Sequence, residues 1–117
     1  MQPRTKIEYC CRMPSDECEY GDYLYWHFEV GSHLFLHKGD SIGPYDPVFG
    51  VQLQVGEVDY DIVTNMITIR TETDDLIKQI KDMDESEKVQ FLFEMSRYHE
   101  WLESIGYVKF IEEPLFG

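Results

Sequence analysis

Hydrophobic and polar positions alternate most strictly between residues 51 and 62. Val51, Leu53 and Val55 alternate with Gln52 and Gln54, and Val58, Tyr60 and Ile62 then alternate with Asp59 and Asp61. Period-two alternation marks a strand with one buried face. Gly56-Glu57, between the two runs, suits a two-residue type II′ turn. The pattern therefore predicts a hairpin that pairs Val55 with Val58, Leu53 with Tyr60 and Val51 with Ile62. All six apolar side chains then share one face. A slip of one residue would drive the aspartates into the core, so the register is strongly specified. Thr64-Asn65 predicts another tight turn, pairing Ile62 with Ile67 and Tyr60 with Ile69 and setting Arg70 opposite Asp59. The expected unit is a three-stranded β-meander over 49–71.

Residues 5–13 read as an earlier strand, and 14–19 as an acidic loop. From 22 to 30 the alternation returns, with Leu24, Trp26, Phe28 and Val30 on one side and Tyr23, Tyr25, His27 and Glu29 on the other. Gly31-Ser32 predicts a second two-residue turn into a strand over 33–38. That register opposes Phe28 to Phe35 and Trp26 to His37, but leaves Leu34 and Leu36 on the face of Glu29 and His27. A three-residue loop would reunite the leucines with Val30 and Phe28, yet no glycine sits where such a loop usually needs one. The two-residue turn is preferred, which implies that both faces are covered there. Residues 39–47, rich in Gly, Pro and Asp, form a loop.

Helical spacing takes over after residue 72. Thr73 is the expected N-cap of a short helix, with Asp74 and Asp75 in its first turn and Leu76, Ile77, Ile80 and Met83 as its apolar stripe. Asp84 to Glu87 resembles a capping box and opens a longer helix to Ile105, stopped by Gly106. Phe91, Met95, Tyr98, Leu102 and Ile105 run along one side of that helix, with Trp101 alongside, and Val89, Leu92 and Phe93 lie on another. Two apolar sides predict a helix wedged between the sheet and the shorter helix. Residues 107–111 predict a final strand. Strands first and helices late give an α+β fold: a mainly antiparallel sheet with two C-terminal helices packed on one face.

Length changes little in this picture: 117 residues make a single domain with a real core. No apolar run is long enough for a bilayer, and the first residues lack the apolar block of a secretion signal, so the expected location is cytoplasmic. Adjacent Cys10 and Cys11 would face opposite ways in a strand, so at most one could pair with Cys18, and reduced thiols are expected. Charge changes the picture most. There are 23 acidic against 10 basic side chains, a net charge of −13. Such a balance repels nucleic acid and anionic membrane and attracts basic proteins.

Candidate chemistry is sparse. His33 and His37 would share a strand face but lie about 13 Å apart at the usual rise, too far for one ion. A site would need His27 across the strands and a further ligand. No calcium loop, phosphate loop, zinc-ligand spacing or nucleophile motif is present. No catalytic residue, metal or cofactor is therefore expected, and the chain reads as a non-catalytic binding protein. Glu57, Asp59 and Asp61, the tyrosines Tyr23 and Tyr25, and the loop acids Asp16, Glu17, Glu19 and Asp22 are the candidate contacts for a basic protein partner. Acid beside tyrosine suits that role, because Tyr contributes contact area at low entropic cost. An immunity protein for a nuclease toxin and a nucleic-acid-mimicking inhibitor of a defence enzyme both fit this chemistry. An accessory subunit docking through Val89, Leu92 and Phe93 is the alternative, and a small enzyme or metal protein using the histidine hairpin is the third reading.

Overall fold

Alternation along Arg4–Met13 builds the strand at the middle of the molecule. In the computed structural model, which describes residues 2–15, 20–47, 50 and 52–110, this strand (β1) buries Thr5, Ile7, Tyr9 and Cys11. Lys6, Glu8, Cys10 and Arg12 lie between them on the opposite face. The two adjacent thiols do point opposite ways, Cys11 into the core and Cys10 half-buried on the other side. β2 (Asp22–Val30) pairs antiparallel with β1, setting Trp26 against Tyr9 and Phe28 against Ile7. The remaining strands are β3 (Ser41–Ile42), β4 (Leu53–Asp61), β5 (Met66–Thr71), β6 (Asp74–Asp75) and β7 (Val108–Phe110). They form one sheet in the order β3-β4-β5-β1-β2-β7, with β6 also beside β1. Most pairs are antiparallel, while β5 and β6 run parallel to β1.

Among the described residues two helices complete the α+β fold, α1 (Leu76–Ile80) and α2 (Glu85–Ser104). α2 lays Met95, Tyr98 and Leu102 on the sheet face that carries Tyr9, Trp26 and Ile69, and Leu76 of α1 joins the same core. Tyr98 meets Tyr9 edge-on, with ring centroids 5.9 Å apart. Asp84 caps α2 as the sequence predicts, its carboxylate accepting the Glu87 amide at 2.8 Å. Gly106 follows the helix at φ +117°, where residues with a Cβ are disfavoured. The final strand forms over Val108–Phe110, and the predicted Ile111 lies outside the described residues.

The hairpin at Gly56 does not form. β4 runs straight through it, and the pairings of Val55 with Val58 and Leu53 with Tyr60 are absent; Val51 and Phe49 lie outside the described residues. Against β5, Val55 pairs with Thr71 and Glu57 with Arg70, so Gly56 is the extra residue of a β-bulge. A bulge inserts one residue and flips the alternation just as a two-residue turn does. The phase of the alternation therefore survives, with Val58 and Tyr60 opposite Ile69 and Ile67. The buried face predicted beyond the glycine does not: Val55 is buried, whereas Val58, Tyr60 and Ile62 are exposed. Instead of a three-stranded meander there is one β4–β5 hairpin, with the short β3 along the outer edge of β4. The β4–β5 turn spans 62–65, so Tyr60 pairs with Ile67 rather than Ile69, and Thr68 rather than Arg70 sits opposite Asp59. Asp61 explains the earlier turn. Its carboxylate accepts the amides of Val63 and Thr64 at 2.9 and 3.2 Å, fixing the chain reversal there.

The strand predicted over 33–38 is also absent. β2 already has β1 on one edge and β7 on the other, leaving no edge for another hairpin partner. The chain instead leaves the sheet after Gly31-Ser32. Thr5 Oγ1 donates to the Ser32 carbonyl at 2.7 Å and accepts the Leu34 amide at 2.9 Å. Gly39 and Val55, then Val55 and Asp40, exchange backbone bonds of 2.8 Å and tie the segment to β4. Leu34 and Leu36 pack against the core from outside the sheet, so neither loop length applies. The start of α1 differs too. Asp74 and Asp75 stay extended to pair with Cys11 and Arg12, and Asp75 replaces Thr73 as N-cap, accepting the Lys78 amide at 3.2 Å. Among the described residues, no helix is long and apolar enough to cross a membrane.

Candidate functional site

Because α2 covers one face of the sheet, the strand residues of opposite parity gather on the other. Glu57 of β4, Arg70 of β5, Glu8 of β1 and His27 of β2 form one cross-strand row. In the neighbouring row stand Cys10, Tyr25 and Phe110. Arg70 binds three carboxylates: it contacts Asp59 directly, and lies 3.5 Å from Glu8 and 3.7 Å from Glu57. Lys6 adds a second cation, 3.1 Å from Glu8 and 5.2 Å from the centre of the Phe110 ring. An ammonium is thus already held here between a carboxylate and an aromatic face. Tyr25 and His27 flank the Phe110 ring at 5.5 and 5.0 Å. A hollow of about 330 Å³ opens among Glu8, Cys10, Tyr23, Tyr25, Arg70 and Phe110.

Four of the predicted contacts meet on this open face: Tyr23 and Tyr25 from β2, Glu57 and Asp59 from β4. Tyr23 is 54% exposed. The structure places the others differently. Asp61 is occupied by the turn it closes, and the amides of Thr64 and Val63 hold its carboxyl below the usual range. Asp22 is exposed at the first residue of β2. Asp16, Glu17 and Glu19 lie outside the described residues, as does Cys18. The three histidines sit apart rather than in one hairpin. His33 Nε2 is 3.0 Å from the Asn65 carbonyl, His37 Nδ1 is 3.9 Å from Asp40, and His27 faces Phe110. Among the described residues, no three His, Cys, Asp or Glu side chains converge as metal ligands.

A second constellation was not predicted. Tyr9, at the centre of β1, donates its hydroxyl to Asp74 Oδ2 at 2.5 Å, and the Tyr9 hydroxyl oxygen also lies 3.5 Å from His99 Nε2. The His99 ring packs against Trp26 with centroids 4.3 Å apart and the planes tilted by 34°. Burial governs the protonation of this group. It raises Tyr9 far above the ordinary phenol, pushes the neighbouring Cys11 thiol up to about 12 and raises Asp74. The same burial, with the Lys109 ammonium nearby, lowers His99 to about 4, so its imidazole is neutral at pH 7. Asp74 also walls a cleft of about 440 Å³ between the start of β4 and α2. One part of this was within reach of the sequence: His99 stands four residues after Met95 and three before Leu102, on the buried stripe of α2.

Compared with known proteins, the chain matches no family model, no curated protein and no solved structure. What supports a function is therefore the chemistry of these two places.

Proposed function

We propose that this chain is a non-catalytic binding protein that docks a basic protein partner on its open sheet face and thereby inhibits or neutralises it. The observation that carries the reading is the grouping of Tyr23, Tyr25 and Phe110 with Glu8, Glu57 and Asp59 on the face that α2 leaves free. Aromatic side chains supply the apolar contact that holds a complex together, and an acidic rim speeds encounter with a cationic partner. Carboxylates outnumber cations in the Arg70 network, and the whole chain carries −13. A nuclease, or another enzyme with a basic nucleic-acid channel, has the complementary charge. This fits an immunity protein or a nucleic-acid mimic.

A second reading has its own support. Val89 and Phe93 on α2 are 62% and 58% exposed, whereas Leu92 beside them packs on the core. An accessory subunit could dock there without using charge.

Capture from the lysate of the source cell, with elution along a salt gradient, separates the two. The inhibitor reading expects a stoichiometric basic protein released as salt rises. It should be lost both from a Glu57→Lys/Asp59→Lys variant and from a Tyr23→Ala/Tyr25→Ala variant. Capture that survives both variants and high salt, yet disappears with Val89→Asp/Phe93→Asp, would replace it with the accessory role.

A further inference from the structure

The cleft beside α2 lies away from the open sheet face and has a different chemistry. Gln52 and Gln54 line it from the start of β4, Glu72 and Asp74 from the segment around β6, and Gln79 from α1. Phe91, Met95 and Tyr98 of α2, with Leu53, supply its apolar wall. At about 440 Å³ it falls within the size range of small-molecule sites. Its described lining holds two carboxylates and three carboxamides but no Lys or Arg. Asp74 is drawn in by the Tyr9 hydroxyl and feels the charge of Glu72, so two acidic groups stand together on a described lining that holds no cation.

We infer that this cleft binds a guanidinium group carried on a short aliphatic stem. The match is one of shape and of donor count. A guanidinium offers five N–H donors in a plane and no acceptor. The two carboxylates and the carboxamide oxygens of Gln52, Gln54 and Gln79 are acceptors in excess. Aromatic rings beside these carboxylates suit its flat, weakly hydrated face, and Leu53 and Met95 suit the methylene stem. An ammonium would satisfy the charge but has three donors and no plane to lay on a ring. A polyol would find hydrogen bonds but leave both carboxylates without a counter-charge. The group could belong to free arginine or to an arginine side chain of a protein. This inference does not depend on the open face or on its partner.

The test is titration of the full chain with butylguanidinium, followed by calorimetry and by the side-chain amide and aromatic NMR signals of the cleft. The expected result is saturable one-to-one binding that shifts Gln54, Gln79 and Tyr98. Butylammonium should bind at least about tenfold more weakly, the scale of one charge-assisted hydrogen bond. Asp74→Asn keeps an oxygen for Tyr9, and Glu72→Gln leaves the core untouched; each should weaken binding about tenfold or more, with unchanged thermal melting for Glu72→Gln. Free arginine and a blocked Gly-Arg-Gly peptide distinguish the sources: tighter binding of the former indicates a small-molecule ligand, of the latter a protein side chain. Absence of saturable binding, equal affinity for butylammonium, or full affinity in Glu72→Gln would overturn the inference.

Discussion

Protonation of His99 should destabilise the fold in mild acid. Its imidazole is 7% exposed and packed against Trp26, and burial first, then Lys109, lowers its pKa from 6.5 to about 4. Between these values the unfolded chain takes up a proton that the folded chain refuses. The stabilising effect of a neutral His99 is therefore fully present above pH 6.5 and declines as pH falls towards 4. At about 1.4 kcal/mol for each pH unit, the gap corresponds to about 3 kcal/mol. Asp74 acts with the opposite sign. Its folded pKa is raised above 3.8, so acidification favours the folded form through that group and offsets part of the loss. The measurement is urea denaturation followed by Trp fluorescence from pH 7.5 to 4.5, on the native chain and on His99→Gln. The other titrating groups are common to both proteins and cancel in the difference. The native chain should lose about 2–3 kcal/mol relative to the variant over this range. A difference that does not change with pH, or an imidazole that titrates near 6.5 in NMR spectra of the folded protein, would refute the reasoning.

Two further substitutions test the packing around the same core. Tyr9→Phe keeps the ring against Trp26 and Tyr98 but removes the donor to the largely buried Asp74 carboxyl, and should cost about 1–3 kcal/mol in denaturant at pH 7; an unchanged midpoint would show that the bond contributes nothing. Gly21→Ala should be costlier than its size suggests. At φ +81° a Cβ there would lie 2.3 Å from Ile77 Cδ1 and 2.5 Å from the Met13 carbonyl oxygen, so a loss of about 2–4 kcal/mol and a drop in Tm of roughly 8 °C or more are expected. A melt within a degree or two of the native one would contradict that contact.

Local pattern was enough for much of the fold. The run over 5–13 reads as a strand. Alternation puts Val55, Ile67 and Ile69 on one buried face and Trp26 on the side away from Tyr23 and Tyr25, because a pleated strand sends successive side chains to opposite faces. Which side of 5–13 is buried came from the structure. Asp84 and Gly106 marked the ends of α2, since capping is satisfied within a few residues of chain. Tyr23, Tyr25, Glu57 and Asp59 were legible as acid beside tyrosine but not as one face: the pattern predicts Glu57 in a turn, and predicts that both faces of the strand carrying Tyr23 and Tyr25 are covered.

Tertiary structure decided which edges meet. At Gly56 the break in alternation was consistent with a turn or a bulge, which shift the phase equally; pairing of β4 with β5 on both sides of the glycine selected the bulge. Edges already taken by β1 and β7 denied residues 33–38 a place in the sheet, and the free edge of β1 drew Asp74 and Asp75 out of a helix turn and into a strand. That last choice has the largest chemical effect. It carries an aspartate, which the sequence assigned to an exposed helix start, under α2 to the hydroxyl of Tyr9. Whether a carboxylate is solvated or buried depends on groups 65 residues away in the chain. Such proximity is set by the packing of the whole sheet, which no local periodicity encodes.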